Sequence, residues 1–318
     1  MPKTYIIGHQ KPDTDSVVAA IALAQLYQSR DCFGYKNPTA VIADPLNPET
    51  AYLFDKFDVQ APKQITADDI QAEDKVVLVD HNEASQRLPG LNPDQIVEIV
   101  DHHKANLNLS QPIFMTFKAW GSSATIVYFM MTQLPKQAYQ PDKKLATLML
   151  SAILSDTVGF KSATTTDKDK ELGQELAQIA QIDNTDELAL EIFKAKSNLD
   201  QLTEIELVKN DYKEYDFAQK VGIGQIETVE QTEIIKHRKD GLLKAMKQVK
   251  AENKIDLIFL AVTDVLQVNT KLLLADEASQ KIAEQTFGGQ AQAGVLDIGP
   301  RMSRKKQIAP EIETTLAS

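Results

Sequence analysis

Four of the five histidines in this chain stand directly behind short apolar runs, and that placement strongly limits how the chain can fold. Tyr5-Ile6-Ile7 leads into Gly8-His9-Gln10-Lys11-Pro12-Asp13-Thr14-Asp15-Ser16. Val76-Val77-Leu78-Val79 leads into Asp80-His81-Asn82, and Ile96-Val97-Glu98-Ile99-Val100 leads into Asp101-His102-His103. The runs read as strands at Thr4–Gly8, Val76–Asp80 and Ile96–Asp101, with a fourth at Thr39–Ala43. Helical stretches lie between them, at Ser16–Ser29 and Glu49–Phe57. Alternation of this kind predicts an α/β domain with a mainly parallel sheet flanked by helices. Ligands bind such sheets at the C-terminal edge of the strands, so three motifs far apart in sequence are expected at one edge.

The remaining chain adds helices at Ser123–Leu134, Lys143–Leu154 and Asp169–Ala180, with Pro141 just ahead of the second. After about residue 195 the pattern changes. A helix over Leu199–Tyr212 is followed by a strand at Val221–Glu227 and a long charged helix at Glu230–Glu252. Strands at Asp256–Thr263 and Lys271–Ala275 and a helix at Asp276–Gln285 complete a second, smaller α/β domain. The expected division is residues 1–195 and 196–318, with the boundary near Phe193–Asn198, and 318 residues suit two cores. The N-terminus carries no signal-like stretch, and no apolar run approaches the ~20 residues of a membrane span. Cys32 is the only cysteine, so no disulfide can form within the chain, which fits a cytoplasmic location. A net charge of −11 disfavours nucleic acid as a partner while leaving room for a small anion in a local pocket.

Asp13, Asp15, Asp80, Asp101 and a further acid, Asp156 at the end of an apolar helix, would repel one another if gathered. Two divalent cations would supply the missing charge. Mixed imidazole and carboxylate donors suit Mn, Co, Zn or Fe better than Mg or Ca. A two-metal site points to displacement at phosphorus or to another hydrolysis. Each motif alone has a plain reading, since Asp and Asn favour turns after strands; their common position makes the case. His237 reads as a solvated surface residue and Cys32 as inert. Arg301-Met302-Ser303-Arg304-Lys305-Lys306 carries four cations in an acidic protein. It reads either as an exposed tail patch or as a phosphate clamp, with Arg supplying a planar fork and Lys a point charge.

The Asp101-His102-His103 motif, with the His9/Asp13/Asp15 motif upstream, resembles the DHH phosphoesterase superfamily. The whole chain is similar to the family II inorganic pyrophosphatases within it. The resemblance extends through Asp80-His81-Asn82, Gly121-Ser122-Ser123-Ala124-Thr125, Ser155-Asp156-Thr157 with Lys161-Ser162, and Ser303-Arg304-Lys305-Lys306-Gln307 with Pro310. It implies that His9, Asp13 and Asp80 hold one metal and that Asp15, Asp80, His102 and Asp156 hold the other, Asp80 bridging. It implies that His103, Lys213, Arg304 and Lys305 hold the substrate phosphates and that Asp101 supports the site from behind.

The expected activity is hydrolysis of pyrophosphate to two phosphates, with a hydroxide bridging two Mn²⁺ (or Co²⁺) as nucleophile. Further Mg²⁺ or Mn²⁺ would arrive with the substrate, between two domains that close. A homodimer through the N-terminal domains is also implied. Ala163 stands where the family often has Pro, and Lys196 where its junction often has Gly, which implies a stiffer hinge. Two rivals remain: another phosphohydrolase of the superfamily, and a non-catalytic metal- or phosphate-binding protein. The superfamily's phosphodiesterases and exopolyphosphatases carry a Gly-Gly-His motif near the C-terminus, whereas here Gly288-Gly289 is followed by Gln290.

Overall fold

In the computed structural model the apolar runs of the first half become a six-stranded sheet. Its strands are β1 (Thr4–Ile7), β2 (Pro38–Ile42), β3 (Lys63–Gln64), β4 (Lys75–Val79), β5 (Ile96–Asp101) and β6 (Phe114–Phe117). They lie in the order β3-β2-β1-β4-β5-β6, and every pairing is parallel. Ile6, Ile7, Val76, Val77, Leu78, Val79, Ile99 and Val100 are all buried. A parallel sheet covered on both faces needs such continuous apolar runs. The structure describes residues 2–29, 34–132, 139–197, 199 and 202–317. Cys32, the last two residues of the helix expected over Ser123–Leu134, and Asn198 lie outside the described residues. Two compact units emerge, Met1–Lys196 and Ser197–Ser318.

Helices α1 (Thr14–Ser29), α2 (Pro48–Lys56), α3 (Ser123–Thr132), α4 (Lys143–Asp156), α5 (Asp167–Ala180) and α6 (Thr185–Ser197) complete the first unit. α1 is buried almost all round and packs against β2, α3 and α4; its alanines at 19, 20, 22 and 24 allow that close approach. Local chemistry sets the helix starts. Asn47 caps α2 ahead of Pro48, Asp142 caps α4 by accepting from the Leu145 amide, and Thr166 with Asp169 forms a capping box on α5.

The strand order reverses direction between β1 and β4, which makes that point the natural crevice of the sheet. A register shift in β5 places Val79 opposite Val100, so Asp80 and Asp101 leave the sheet at the same level.

The second unit is a mixed sheet with helices on both faces. α7 (Glu204–Asn210), β7 (Tyr212–Asp216), β8 (Lys220–Thr228), α8 (Gln231–Asn253), β9 (Leu257–Asp264), β10 (Asn269–Leu274), α9 (Glu277–Phe287), β11 (Val295–Asp297) and α10 (Ala309–Leu316) follow in order. The sheet runs β11-β10-β9-β8-β7, with only β8 and β9 parallel. β9 shows how two cores arise from one strand. Ile258, Leu260 and Val262 face α7 and α8, while Leu257, Phe259 and Ala261 face α9 and α10.

One expectation is corrected. The helix expected over Leu199–Tyr212 is confined to Glu204–Asn210, and Tyr212 already begins β7. A capping box between Thr203 and Glu206 fixes the later start.

Candidate metal centre

Three loops leave the C-terminal edge of the first sheet, and each is tied to the next. After β1 the chain turns at Gly8, where a Cβ would stand 1.8 Å from Ser16 Oγ, so only glycine fits. The Ser16 hydroxyl accepts the His9 amide at 3.1 Å, and the Asp13 carboxylate accepts the Ser16 amide at 2.9 Å. This starts α1 and brings Asp15 into its first turn. After β4, Asp80 takes a left-handed backbone (φ 63°) and donates its amide to Val100 O. Gln10 spans the first two loops, donating to the carbonyls of Gln86 and Arg87. Asn82 spans the second and third, donating to Asp101 Oδ2 at 2.6 Å.

The structure brings together the first-unit residues expected to hold metal. Donor atoms of His9, Asp13 and Asp80 cluster, as do those of Asp15, Asp80, His102 and Asp156, and Asp80 belongs to both groups. The imidazole orientations show what the clusters are suited to. His102 Nδ1–H donates to Trp120 O at 3.0 Å, and His9 Nδ1–H donates to Gln10 O at 2.7 Å. Each ring therefore turns an Nε2 lone pair inward. His102 Nε2 lies 3.2 Å from Asp80 Oδ1 and 3.6 Å from Asp156 Oδ2, yet it is buried and makes no hydrogen bond. His9 Nε2 lies 3.5 Å from Asp13 Oδ2 and 3.6 Å from Asp80 Oδ2. Lone pairs facing anionic oxygens repel unless positive charge lies between them. Donors sharing an ion at about 2.1 Å stand roughly 3–3.5 Å apart, which is the spacing here. The residues fit a pair of divalent ions of the kind that accept mixed N and O donors.

Charge tells the same story. Burial drives the Asp80 carboxyl well above the ordinary carboxylate range, and the charges of Asp15 and Asp13 push it further. Asp156 is raised well too, by burial first and then by Asp15 and Asp80. At Asp13 burial is outweighed by the hydrogen bond and charge of His9, and its pKa falls. Burial pulls His9 and His102 down, but the surrounding carboxylates outweigh it and both rise. Without added cations the cluster takes up protons instead; bound cations reverse that preference.

Asp101 stands behind these two clusters, and His103 forms a third donor group with Asp80 and His102. Burial of Asp101 is outweighed by hydrogen bonds from His103 and Asn82, which hold its carboxyl below the usual range. His103 Nδ1–H donates to Asp101 Oδ1 at 2.9 Å, and the ring is half exposed. That leaves Nε2 for an incoming oxygen.

Several residues here carried no assigned role in the sequence. The Ser122 hydroxyl and the Ser123 and Ala124 amides donate to Asp15 at 2.6, 2.6 and 2.9 Å, and the Ser123 hydroxyl donates to Asp80 at 2.9 Å. Lys196 Nζ stands 3.6 Å from buried Glu49, and its charge helps lower Asp13. The Gly-Ser-Ser-Ala-Thr string was the available signal for the first group. Nothing in the sequence links Lys196 to Asp13.

In the second unit the basic cluster is part of the folded structure. Arg301 pairs with Glu311 at 2.9 Å and lies over Phe287, a structural role. Arg304 opens a π-turn, Arg304–Ile308, and its guanidinium pairs with Asp211 Oδ1 at 2.8 Å and donates to Asp211 O. The side chain of buried Gln225 clips this segment to β8, accepting the Arg304 amide at 3.0 Å and donating to Met302 O at 2.9 Å. Lys213 lies on β7 opposite Ile223, two residues beyond Asp211, with Nζ over the Tyr215 ring. Lys305 is exposed in the π-turn. His237 is exposed on α8 and pairs with Glu233.

Comparison with known proteins adds a separate line of observation. The model of the DHH family, N-terminal domain, matches residues 3–153, and that of the DHHA2 domain matches residues 190–315. The manganese-dependent inorganic pyrophosphatase of Methanocaldococcus jannaschii is 37% identical, over 97% of this chain and 98% of its own. A protein described as a probable enzyme of the same kind in Archaeoglobus fulgidus is 38% identical, over 98% of both. Among solved structures, a Methanococcus jannaschii protein assigned to the family II inorganic pyrophosphatases superposes with a TM-score of 0.61 at 34% identity, covering 99% of this chain and 100% of its own. An exopolyphosphatase-related protein from Bacteroides fragilis has a TM-score of 0.50 at 15% identity, covering 99% of this chain and 92% of its own, and shares the fold alone.

Proposed function

This chain belongs to the DHH family and, within it, to the manganese-dependent (family II) inorganic pyrophosphatases, and from that membership we propose that it hydrolyses pyrophosphate to two phosphates with a pair of Mn²⁺ ions. One observation carries the reading. Two clusters, each with an imidazole Nε2 turned onto carboxylate oxygens, share the single buried carboxylate of Asp80. Two such ions, when bound, supply a hydroxide nucleophile near neutral pH and positive charge for the phosphoryl oxygens under attack.

In this reading the residues of the chain do the rest. His9 and Asp13 hold one ion, Asp15, His102 and Asp156 hold the other, and Asp80 balances charge on both. Asp101 fixes the ring of His103, whose Nε2 donates to a phosphate oxygen. Lys213, Arg304 and Lys305 of the second unit neutralise the phosphate under attack, Arg304 through its planar fork. Gln225 and Asp211 keep that fork in place. Co²⁺ is expected to substitute for Mn²⁺, with Mg²⁺ or Mn²⁺ entering on the substrate. The proposed working form is a cytoplasmic homodimer joined through first units. No helix among the described residues is long and apolar enough to cross a membrane.

The test is phosphate release from pyrophosphate, with and without Mn²⁺, beside ATP, polyphosphate and a dinucleotide. Pyrophosphate should be turned over far faster than the others and only with metal; preference for polyphosphate or the dinucleotide would overturn the reading. Asp80→Asn keeps the shape and removes the shared charge. It should lower kcat by at least ~10³-fold, the scale of a lost key electrostatic group, and release Mn²⁺ more readily. Near-normal turnover at saturating Mn²⁺ would remove Asp80 from its proposed place.

A further inference from the structure

Asp169 is fully buried at the start of α5 and is no member of either ligand cluster. Its carboxylate accepts four hydrogen bonds. Two come from its own helix cap, the Thr166 amide at 2.8 Å and the Thr166 hydroxyl at 2.6 Å. The other two cross to a different element: the Gly121 amide at 2.9 Å and the Thr125 hydroxyl at 2.7 Å. An ordinary capping box needs the carboxylate to accept only the Thr166 amide, in return for the Asp169 amide donating to the Thr166 hydroxyl.

The second pair grips the segment that holds Asp15. Gly121 immediately precedes, and Thr125 immediately follows, the residues that donate to the ligand carboxylates. Between them, Ser122, Ser123 and Ala124 supply three donors to Asp15, and Ser123 supplies one to Asp80. The fit at Gly121 is tight, since a Cβ there would lie 2.7 Å from Thr157 Cγ2 and 3.0 Å from Asp169 Oδ2. Thr157 directly follows the ligand Asp156. Asp169 is thus bonded to both ends of the turn that orients Asp15, and Gly121 of that turn lies close to Thr157, the residue after Asp156.

We propose that Asp169 is a positioning residue for one metal of the pair, the one held by Asp15, Asp80, His102 and Asp156, acting through the Gly121–Thr125 turn. It rests on that cluster holding a metal. A carboxylate suits the task because it only accepts. An asparagine would turn an NH₂ group toward donors on one side and let the turn move. Neither His9 nor Asp13 is hydrogen-bonded to this turn, and the other metal feels it only through the Ser123 bond to the shared Asp80, so it should respond much less.

Calorimetric titration of Mn²⁺ into the full chain separates the sites. In a His9→Ala background, adding Asp169→Asn should weaken the remaining binding event by ~10–100-fold, the usual effect of losing a partner behind a ligand. In a His102→Ala background the same change should alter the remaining event by less than ~3-fold. Thr166→Ala, which removes the cap hydroxyl and leaves the Gly121 and Thr125 bonds, should lower Tm with both affinities kept. Equal weakening in both backgrounds, no weakening, or the same loss from Thr166→Ala would overturn the proposal. If Asp169→Asn does not fold, Thr125→Val should give a smaller loss confined to the same site, and an even loss would overturn it. Absence of any Mn²⁺ binding by the parent would instead refute the assignment of the clusters.

Discussion

His81 is wholly buried next to Asp80 yet belongs to neither ligand cluster. Its Nδ1–H donates to Val79 O at 2.9 Å, and its ring stands edge-on to His9. Burial lowers its pKa from 6.5 to about 4. Below 6.5 the unfolded chain binds a proton that the folded chain refuses, so this histidine's contribution to stability is lost as pH falls from 6.5 toward 4. The full loss is of order 3 kcal/mol, since each tenfold drop in proton affinity is worth about 1.4 kcal/mol. His81→Asn keeps a donor for Val79 and removes the ionisation. Urea unfolding of metal-free protein from pH 4.5 to 7 should therefore show a flatter profile for the variant; equal slopes would place the acid sensitivity elsewhere. At this scale the gathering of these side chains was largely legible, because scarce histidines mark chemistry when each ends a strand. The supporting bonds were not, since Ser123 and Asp169 reach the site only through the packing of α3 and α5.

β6 is an edge strand, bonded to β5 on one side, and it leaves Met115 more than half exposed, with Phe114 exposed beside it. Among the described residues no strand pairs with its other edge. An apolar edge of this kind favours pairing with a second chain. A second copy fits best, since the expected dimer joins first units. Met115→Asp should convert a dimer, measured by light scattering at micromolar protein with Mn²⁺, into a monomer without loss of the six-stranded sheet. A variant that stays dimeric would move the contact elsewhere. The same strand shows where elements escaped the sequence. β3, β6 and β11 are short edge strands of two, four and three residues with only Leu296 buried among them, so no buried apolar run marks them as it marks the equally short β1. The long buried strands and α1 and α8 read well because one environment acts along their whole length. The segment from Leu199 was misread because Leu199, Leu202, Ile205 and Val208 recur at helical spacing whether or not the backbone is helical throughout. Its Thr203-x-x-Glu206 box was the signal that located the true start.

At the scale of the molecule the proposed metal ligands all lie in Met1–Lys196, while the proposed phosphate contacts Lys213, Arg304 and Lys305 lie in Ser197–Ser318. Metal binding should survive changes in the second unit, and turnover should not. Arg304→Ala should leave Mn²⁺ affinity within a few-fold and lower kcat/KM for pyrophosphate by roughly 10²-fold or more, the worth of a charge-assisted phosphate contact. Arg304→Lys should recover only part, because an ammonium cannot reproduce the fork and would also lose the pairing with two oxygens of Asp211. Steady-state kinetics and a metal titration on the two variants decide it, and unchanged kinetics would put the phosphate contacts elsewhere. Alternation of strands and helices made the parallel sheet of the first unit legible in advance. The reversal of strand order between β1 and β4, which gathers the loops, was not, because order depends on which strands pair and no local pattern records that.

Asp80 sits at φ 63°, a left-handed region that costs an L-residue free energy, aspartate less than most. Glycine there would relax the main chain by about 1 kcal/mol, and it would also relieve the crowding of acids that makes the centre repel itself. In the metal-free chain, heat resistance and the proposed catalysis therefore pull residue 80 in opposite directions. A library of this chain screened without metal, and only for survival on heating, would be rewarded for discarding the proposed chemistry at this position.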